Sequence, residues 1–472
     1  MILERRRKLA VRKCDVDMSI NFNNSIVKKY MMEGYFGLEK ESLRITPDGF
    51  LSRTKHPFAD NPSIDRDFSE SQVELITTVS DSIDDVWEEL SALHKKTVRK
   101  LLHLESGREY LWPFSNPPYV RGEGDIPIAR YQGKRKKKEQ YREYLAQKYG
   151  KMKMLFSGIH FNFSFPDIIF EEGWKNSPFS SCQEYKNYVY LELSKKVVKY
   201  SWLIVYLTAA SPVMDGSYFR KENMGKEVTQ NYASPRCSEM GYWNDFVPIL
   251  KYGNLEEYVK SIEGYIEQGQ LREATELYYP VRLKSVGENS LDRLKQGGVN
   301  HIELRMLDLN PLVREGVCKE DLKFLHLLIL YLSSLEDEDF ESYKQIAAIH
   351  NQKTAAKYEE DDIWIKTTWN KSSPVREEAM KVLLSMEHFF MDHGRQEHVD
   401  VIRFQEQKVV CPEKRYAVRI KNAFRTNYVQ KGIALARVYA QELEEEYERL
   451  QAAENVEKKQ KLTDGESISY GG

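Results

Sequence analysis

Three well-separated segments of the sequence alternate polar or ionisable residues with apolar ones. They are YFGLEKESLRI (35–45), FSGIHFNFSF (156–165) and HIELRML (301–307). Successive side chains of a β-strand point to opposite faces, so each segment predicts a strand with one polar and one apolar face. A fourth segment, SQVELIT (71–77), has the same pattern. A fold that contains these strands has to bury one face and place many charges on the other.

Amphipathic segments lie between these strands, without the regular strand–helix–strand spacing of a parallel sheet. At Ser82 a capping residue precedes apolar residues at helical spacing through about residue 104. Further helices are predicted at 136–149, 183–208, 254–268, 319–334 and 374–392, and a long helix from Val429. The long helix could dock on the body of the protein or pair with another subunit. The whole pattern predicts the α+β class, an antiparallel sheet with flanking helices.

Neither a repeat nor a Pro-rich or Gly/Ser-rich linker divides the chain, which favours a single main domain. We predict that this domain spans residues 21–450. A basic N-terminal extension at 1–20 would precede it, and a mobile C-terminal tail at 451–472 would follow it.

Charge and composition restrict the class of protein. The 472 residues contain 70 Lys and Arg against 72 Asp and Glu, so the formal net charge of −2 gives no reason to expect nucleic acid as a partner. The longest apolar stretch, 202–210, is about half of the ~20 residues that span a bilayer. The N-terminus lacks the apolar segment of a secretory signal, and the five cysteines have no C-x-x-C spacing. We therefore expect a cytoplasmic protein with free thiols and no membrane partner.

The polar faces of the four strands, with the residues next to them, carry five carboxylates, one imidazole and one guanidinium. These groups belong to Glu39, Glu41, Asp67, Glu74, His160, Glu303 and Arg305. If the faces belong to one sheet, the carboxylates would repel one another strongly in the absence of a cation. Oxygen ligands with one imidazole suit Mg²⁺ or Mn²⁺, and several such ions on a carboxylate-lined sheet suggest a bound polyphosphate such as ATP.

Each part of this pattern also has an ordinary structural explanation. Glu39 and Glu41 could lie on a solvated strand face, and His160 could be a hydrogen-bonded histidine of the core. Glu303 and Arg305 could form only a structural ion pair. The combination of all these residues on equivalent faces favours a metal and nucleotide site.

Eight sequence blocks between about residues 34 and 315 resemble, in order and spacing, bacterial glutamate-cysteine ligase (γ-glutamylcysteine synthetase), including the ligase module of the fused bifunctional glutathione synthetases. The blocks are GLEKESLRI, DFSESQVELIT, LWPFSNPPY, QYREYLAQKYG, FSGIHFNFS, YLTAASPV, ELYYPVRLKS and HIELRMLDLNP. The resemblance implies a glutamine-synthetase-like fold, in which a curved antiparallel sheet holds Mg²⁺ (or Mn²⁺) and ATP. It also implies ligation of the L-glutamate γ-carboxylate to the L-cysteine amine through γ-glutamyl phosphate, the first step of glutathione biosynthesis.

Roles for individual residues follow from the same resemblance. The implied metal ligands are Glu39, Glu41, Asp67, Glu74, His160 and Glu303. Arg305 would face the transferred phosphate, so Arg305 and Glu303 are the predicted catalytic residues. The implied cysteine-binding residues are Phe68, Tyr141, Arg142, Arg236, Tyr242 and Tyr278.

Other functions on the same fold stay open at this stage. The block ASPRCSEMGYWN departs from the family pattern at Pro235 and Cys237, so a γ-glutamyl ligase with another amine acceptor is one alternative. A catalytically silent regulatory relative is another. The 472 residues leave no room for a separate ATP-grasp module after the ligase body, so we expect a dipeptide product. The oligomeric state is not predicted.

Overall fold

The helices and strands of the chain lie close to the positions that the sequence predicts. The computed structural model describes residues 20–58, 61–228, 231–287 and 290–466, with side chains up to residue 453. Its strands are β1 (Tyr35–Ile45), β2 (Ile64–Arg66), β3 (Gln72–Ile76), β4 (Tyr110–Leu111), β5 (Gly158–Ser164), β6 (Met214–Asp215), β7 (Glu227–Val228), β8 (Val281–Lys284), β9 (His301–Asp308), β10 (Trp364–Thr368) and β11 (Lys371–Pro374). Its helices are α1 (Ser25–Tyr30), α2 (Ile83–Leu102), α3 (Lys136–Tyr149), α4 (Asp167–Trp174), α5 (Cys182–Thr208), α6 (Leu255–Glu267), α7 (Leu291–Gly297), α8 (Lys319–Ser333), α9 (Ser342–Ala355), α10 (Val375–His393), α11 (Gln396–Val410), α12 (Tyr416–Phe424) and α13 (Tyr428–Glu466).

One antiparallel sheet of seven strands organises the charged residues. Its strand order is β2-β3-β1-β5-β9-β8, and β4 pairs with the end of β1. The register places Glu39 opposite His160 and Glu41 opposite Glu74. In the same way Asn162 lies opposite Glu303. Because directly opposed residues share a face, the predicted charged residues of β1, β3, β5 and β9 lie on one side of the sheet. The predicted α+β fold with an antiparallel sheet is confirmed.

The segment TPDGFLSRT (46–54) after β1 predicts a turn and a return strand that would form a hairpin, but the return strand is much shorter than the sequence indicates. Gly49 has a φ of +82°, as a turn requires, but only an isolated bridge joins Ile45 to Leu51. Arg44 explains the early end of this pairing, since its N–H donates to Ser71 O and its carbonyl accepts from Ser52 N. From this point β3 occupies the same edge of β1, so the hairpin cannot continue.

The opposite face of the sheet forms the main core. Leu38, Phe161 and Leu304 are each about 1% exposed and pack in one apolar cluster with residues of α5 and α8. The 27-residue α5 is the central helix of this layer. Because the core fixes the apolar face of every central strand, it also fixes which side chains point to the charged face.

Lys40 is an exception on the core side, since it is a charged residue that is only 2% exposed. Its Nζ lies 3.0 Å from His94 Nδ1, and burial, opposed in part by Glu315, lowers the pKa of Lys40 to about 7. The unfolded chain therefore binds this proton more tightly than the folded protein does. We expect the free energy of unfolding of the wild type, relative to Lys40→Met, to rise with pH from about 7 towards 10. Urea titrations of both proteins across this range check it, and a constant difference would contradict it.

The long C-terminal helix docks on the body of the protein, which was one of the two predicted possibilities. Ile433 is 3% exposed, and Gly432 lies against the Trp112 ring, where a Cβ atom would be 2.2 Å from Cη2. Further along, Glu446 forms ion pairs with Lys95 at 2.5 Å and Arg314 at 3.3 Å.

The predicted domain limits remain predictions. The backbone of α13 continues to Glu466, past the proposed limit at 450. Residues 1–19 of the proposed N-terminal extension lie outside the described residues, as does Cys14. The other four cysteines are free thiols, as expected. Among the described residues, no helix is long and apolar enough to cross a membrane.

Candidate active site and metal centre

Three residues from neighbouring strands meet at the centre of the charged face: Glu39 on β1, His160 on β5 and Glu303 on β9. His160 Nδ1 lies 3.1 Å from Glu39 Oε2 and 3.9 Å from Glu303 Oε1. One potential ligand atom of each residue lies within 4.8 Å of the other two. Asn162 Nδ2 donates to Glu39 Oε1 at 3.2 Å and so orients that carboxylate. Two carboxylates and an imidazole at this spacing can hold one divalent cation.

The carboxylate of Glu303 is fully buried, and two cations compensate its charge. Arg305 Nη1 and Lys284 Nζ both form ion pairs with it. Burial alone would raise the pKa of Glu303, but Arg305 and Lys284 outweigh burial and hold this pKa well below its usual range. Arg305 Nη1 also lies 3.4 Å from His160 Nδ1. A permanently charged guanidinium therefore lies directly beside the three potential metal ligands.

A second acidic group, Glu41, Glu74 and Asp67, lies next to the first. Burial, followed by the charge of Asp67, raises the pKa of Glu41 to about 8. Burial and the carboxylates of Asp67, Glu39 and Glu41 raise the pKa of Glu74 well above its usual range. Both shifts show that the protein groups around these carboxylates do not fully offset their charge.

The residues present fit Mg²⁺ or Mn²⁺. His160 Nε2 is buried without a hydrogen-bond partner among the described residues, and it lies 3.9 Å from Glu41 Oε1. Burial and the neighbouring Arg305 lower the pKa of His160, which favours the neutral imidazole that a metal ion needs. A cation among these groups would satisfy the orphaned nitrogen and relieve the repulsion between the carboxylates.

Three of the predicted substrate residues, Arg236, Tyr242 and Tyr278, line one small pocket beside Arg305. The rings of Tyr242 and Tyr278 meet edge to face with their centroids 4.9 Å apart. Arg236 is 7% exposed, and its Nη2 donates to Arg305 O at 2.7 Å. Cys237 lines the same pocket. A guanidinium and two tyrosines next to Arg305 can hold a small carboxylate-bearing molecule there.

The other predicted substrate residues lie around the same aromatic cluster. Arg142 on α3 donates from Nε to Asp67 O, and its Nη2 lies 3.8 Å from Asp67 Oδ1. Phe68 is 1% exposed and belongs to an apolar cluster with Tyr278, against which Tyr141 packs. The structure thus brings all the predicted aromatic residues together. Direct contact of Phe68 with a substrate stays a prediction.

Two residues of the site were not selected from the sequence. Lys284 pairs with Glu303, and Arg282, which lies opposite Glu303 in the register, is held by hydrogen bonds from its Nη2 to Thr275 O and Leu277 O. The signal was present, because Arg282 and Lys284 stand two residues apart in the quoted block ELYYPVRLKS. Such spacing places both side chains on one face of β8.

Gly158 at the start of β5 makes room for the Arg236 guanidinium. A Cβ atom at this position would lie 2.3 Å from Arg236 Cζ, much closer than two such atoms can approach. The Gly158 N–H also donates to Glu41 Oε2 at 3.0 Å. Gly158 therefore positions one residue of the pocket and one of the acidic group.

We expect Gly158→Ala to displace Arg236 and raise the KM for an amino-acid substrate more than it lowers kcat. The added methyl group should also cost about 1–3 kcal/mol of stability, the usual effect of overpacking. Gly124→Ala is the control, because a Cβ atom at this position would have no atom beyond its chain neighbours within 4 Å. Steady-state kinetics and urea unfolding of both variants check the prediction. Equal effects of the two substitutions would contradict it.

Comparison with known proteins identifies the family of this chain. The sequence profile of the family Glutamate-cysteine ligase matches residues 20–355. This chain belongs to the glutamate-cysteine ligase family. The glutathione biosynthesis bifunctional protein GshAB of Listeria monocytogenes is 36% identical over 461 residues, which cover 94% of this chain and 59% of that protein. GshAB of Clostridium perfringens is 33% identical over 438 residues, which cover 88% of this chain and 55% of that protein. The chain therefore spans less than two thirds of the length of these relatives.

Two solved structures of the family share the fold. A bifunctional glutathione synthetase from Pasteurella multocida superposes with a TM-score of 0.77 at 28% identity, over 90% of this chain and 55% of that chain. A glutamate–cysteine ligase from Francisella tularensis, solved in complex with AMP, superposes with a TM-score of 0.78 at 23% identity, over 87% of this chain and 89% of that one. Neither likeness by itself assigns a role to a residue of this chain.

Proposed function

We propose that this chain joins the γ-carboxylate of L-glutamate to the amine of L-cysteine in an ATP-dependent reaction. The observation that carries the proposal is the arrangement of Glu39, His160 and Glu303 as a metal centre, with Arg305 paired to Glu303 at its side. Family membership supports the ligase class. In the proposed reaction ATP phosphorylates the γ-carboxylate, ADP leaves, and the cysteine amine displaces phosphate from the γ-glutamyl phosphate. The amine loses its proton in this step.

The charged face supplies what the first step requires. Glu39, His160 and Glu303 would hold one Mg²⁺ ion, and the adjoining Glu41, Glu74 and Asp67 would hold further divalent cations. Bound Mg²⁺ offsets the negative charge of the polyphosphate and orients it. Arg305 is kept cationic by its buried pair with Glu303, so it can stabilise the transferring phosphoryl group as a fixed fork of donors.

The nucleoside end of ATP fits a cavity at the other end of the same face. This cavity of about 350 Å³ is lined by Glu39 and Asn162 at the metal centre and by Tyr35, Val79 and Val286 at its rim. The three rim residues are 47%, 72% and 69% exposed, respectively. Exposed apolar side chains at the mouth of a cavity are typical of a surface that a planar base covers. The phosphates would then extend from this cavity towards Arg305.

The acceptor would bind on the opposite side of the metal centre, in the pocket of Arg236, Tyr242 and Tyr278. Arg236 can pair with the acceptor carboxylate, and the tyrosine rings can enclose a small thiol side chain. The same walls exclude water, which matters because hydrolysis of an acyl phosphate would consume ATP without product.

The test is an assay of the purified protein with Mg²⁺, ATP and L-glutamate across a series of amines, with products identified by mass. We expect cysteine to be the best acceptor and γ-glutamylcysteine to be the product. The kcat/KM for 2-aminobutyrate should be about 10–200-fold lower than that for cysteine, since one small group in an apolar pocket discriminates only modestly.

Controls without ATP, without Mg²⁺ and without glutamate should give no product. Preference for an amine that lacks a thiol-sized side chain would overturn the assignment of cysteine. Failure of every amine, with ATP bound normally, would overturn the assignment of an enzyme. We also propose a cytoplasmic location, which fractionation of cells that express the protein would test.

A further inference from the structure

A cavity of about 730 Å³ lies outside the catalytic face, beyond the edge strand β2. Its walls come from the segment 53–58, from Arg66 and Glu70 around β2, and from the segment 127–132. The residues that line it do not include any predicted metal ligand or substrate residue. It is therefore a separate concave site on the same domain.

The described residues around this cavity carry an excess of positive charge. Four of them are permanent cations, namely Arg53, Lys55, Arg66 and Arg130, and Glu70 is their one carboxylate. The described lining residues alone therefore carry a net charge of +3, and Asp65, outside the lining, lies 3.6 Å from Arg66. Arg53 is also 3.5 Å from Asp125, which does not line the cavity.

The charge of Glu70 is already engaged within the protein. Its Oε1 accepts from the backbone N–H of His56 at 2.8 Å, and its Oε2 accepts from that of Arg130 at 2.8 Å. Arg66 Nη1 lies 3.4 Å from Oε1. Glu70 is 5% exposed, so its carboxylate is buried in the floor of the cavity, where the protein groups named above bind it.

The floor also contains buried polar atoms without partners. His56 is 5% exposed, its Nδ1 lies 3.1 Å from Phe58 O, and its Nε2 has no hydrogen-bond partner among the described residues. Arg66 Nε is likewise without a hydrogen bond there, although it lies 3.6 Å from Asp65 Oδ1. Buried polar atoms are normally hydrogen-bonded, so these two atoms beside one cationic cavity leave hydrogen-bonding capacity for a polar ligand.

We propose that this cavity is a second ligand site, which binds a compound with two or three negatively charged oxygen groups, either phosphates or carboxylates. Lys55 and Arg130 at the mouth, with Arg66 on the floor, supply charge-assisted hydrogen bonds to the oxyanion. The volume exceeds that of a single phosphate ion and matches a metabolite-sized ligand.

Tyr131 connects this site to the acceptor side of the catalytic face. The Arg66 guanidinium lies 4.9 Å from the Tyr131 ring centroid, and the Arg142 guanidinium lies 5.0 Å from it. The Tyr131 hydroxyl donates to Arg66 O at 2.7 Å. Arg142 in turn contacts Asp67. A ligand that moves Arg66 would therefore act through Tyr131 on Arg142, which is one of the predicted substrate residues.

Direct binding tests the proposal independently of the ligase activity. Calorimetric titrations with pyrophosphate and with tricarballylate are carried out at low ionic strength, without Mg²⁺, ATP or amino acids. The catalytic face also contains two arginines, Arg236 and Arg305, so the variants and the lysine protection described below assign the bound anion to this cavity. We expect one site per chain for at least one of the two anions, and the preferred anion distinguishes a phosphate ligand from a carboxylate ligand.

The variant Lys55→Gln/Arg130→Gln removes the two cations of the mouth. We expect it to weaken binding about 10-fold or more, because hydrogen bonds to charged groups are the strong ones in such a site. Lys134→Gln/Lys137→Gln is the matched control, since it removes the same charge from exposed positions outside the cavity. Equal loss in both variants, or no binding of either anion by the wild type, would overturn the proposal.

A second measurement needs no substitution. In the wild type, the bound anion should protect Lys55 from acetylation by a soluble acylating reagent while Lys134 reacts at an unchanged rate. Peptide mass spectrometry reads both lysines in one sample. Protection of neither lysine, or equal protection of both, at saturating anion would contradict a site in this cavity.

Discussion

The variant Glu303→Gln is expected to lose most of its turnover, about 100-fold or more in kcat, because a neutral amide replaces one anionic metal ligand. Glu303 is 0% exposed and pairs with both Arg305 and Lys284. The substitution preserves the shape of the side chain but leaves two cations without their carboxylate. We therefore also expect a lower melting temperature in the metal-free protein, because the folded state loses the pairing that compensates these charges.

Steady-state kinetics over a range of Mg²⁺ concentrations, below the melting temperature of the variant, checks this result. Glu105→Gln is the control, since Glu105 is an exposed carboxylate in the loop between α2 and β4 and is not one of the predicted site residues. Its kcat and melting temperature should equal those of the wild type. A Glu303→Gln variant with near-normal kcat would show that the buried carboxylate serves only as a structural counter-ion.

Arg305→Lys should lower kcat about 1,000-fold, a loss in the range seen when an arginine that stabilises a transferring phosphoryl group is removed. Lysine keeps the positive charge, but it lacks the planar guanidinium group. Its single ammonium group cannot contact Glu303 and the transferring phosphoryl group with the same geometry. The KM for ATP should change much less than kcat, because the proposed contact strengthens as the phosphoryl group is transferred.

The readout is a comparison of kcat with KM for ATP, together with direct nucleotide binding. Arg293→Lys serves as the control, because Arg293 is exposed and does not line the pocket that contains Arg305. If Arg305→Lys retains most of its kcat, the guanidinium acts only to hold Glu303 in place. If it loses nucleotide binding instead, Arg305 contributes to ground-state binding rather than to the transfer step.

Periodicity allowed much of the fold to be predicted. The alternation in YFGLEKESLRI and HIELRML predicted both the strands and the sides on which Glu39, Glu41, Glu303 and Arg305 lie. The register confirms these sides for the three glutamates, and the ion pair with Glu303 places Arg305 beside them. Capping predicted the start of α2, where the Ser82 hydroxyl accepts from the Asp85 N–H at 3.2 Å. Such signals are local, since a strand or a helix end depends on residues only a few positions apart.

Features that depend on residues far apart in sequence could not be predicted in this way. The hairpin after β1 is cut short because β3 takes the same edge of the strand, and the pairing of Lys284 with Glu303 requires β8 to lie next to β9. The long C-terminal helix could dock on the body of the protein or pair with another subunit, and its packing against Trp112 shows that it docks. Strand order and helix docking follow from the burial of whole surfaces, which no short segment specifies.

The sequence by itself predicted an α+β fold with a carboxylate-rich strand face and membership of the glutamate-cysteine ligase family, because period-two alternation and ordered motifs are properties of the chain alone. Only the tertiary structure decided that Glu39, His160 and Glu303 approach within 4.8 Å, that Arg305 and Lys284 share one buried carboxylate, and that a cationic cavity lies beyond Tyr131. Distances and charge balance arise where distant segments meet, and the shared apolar core sets how they meet.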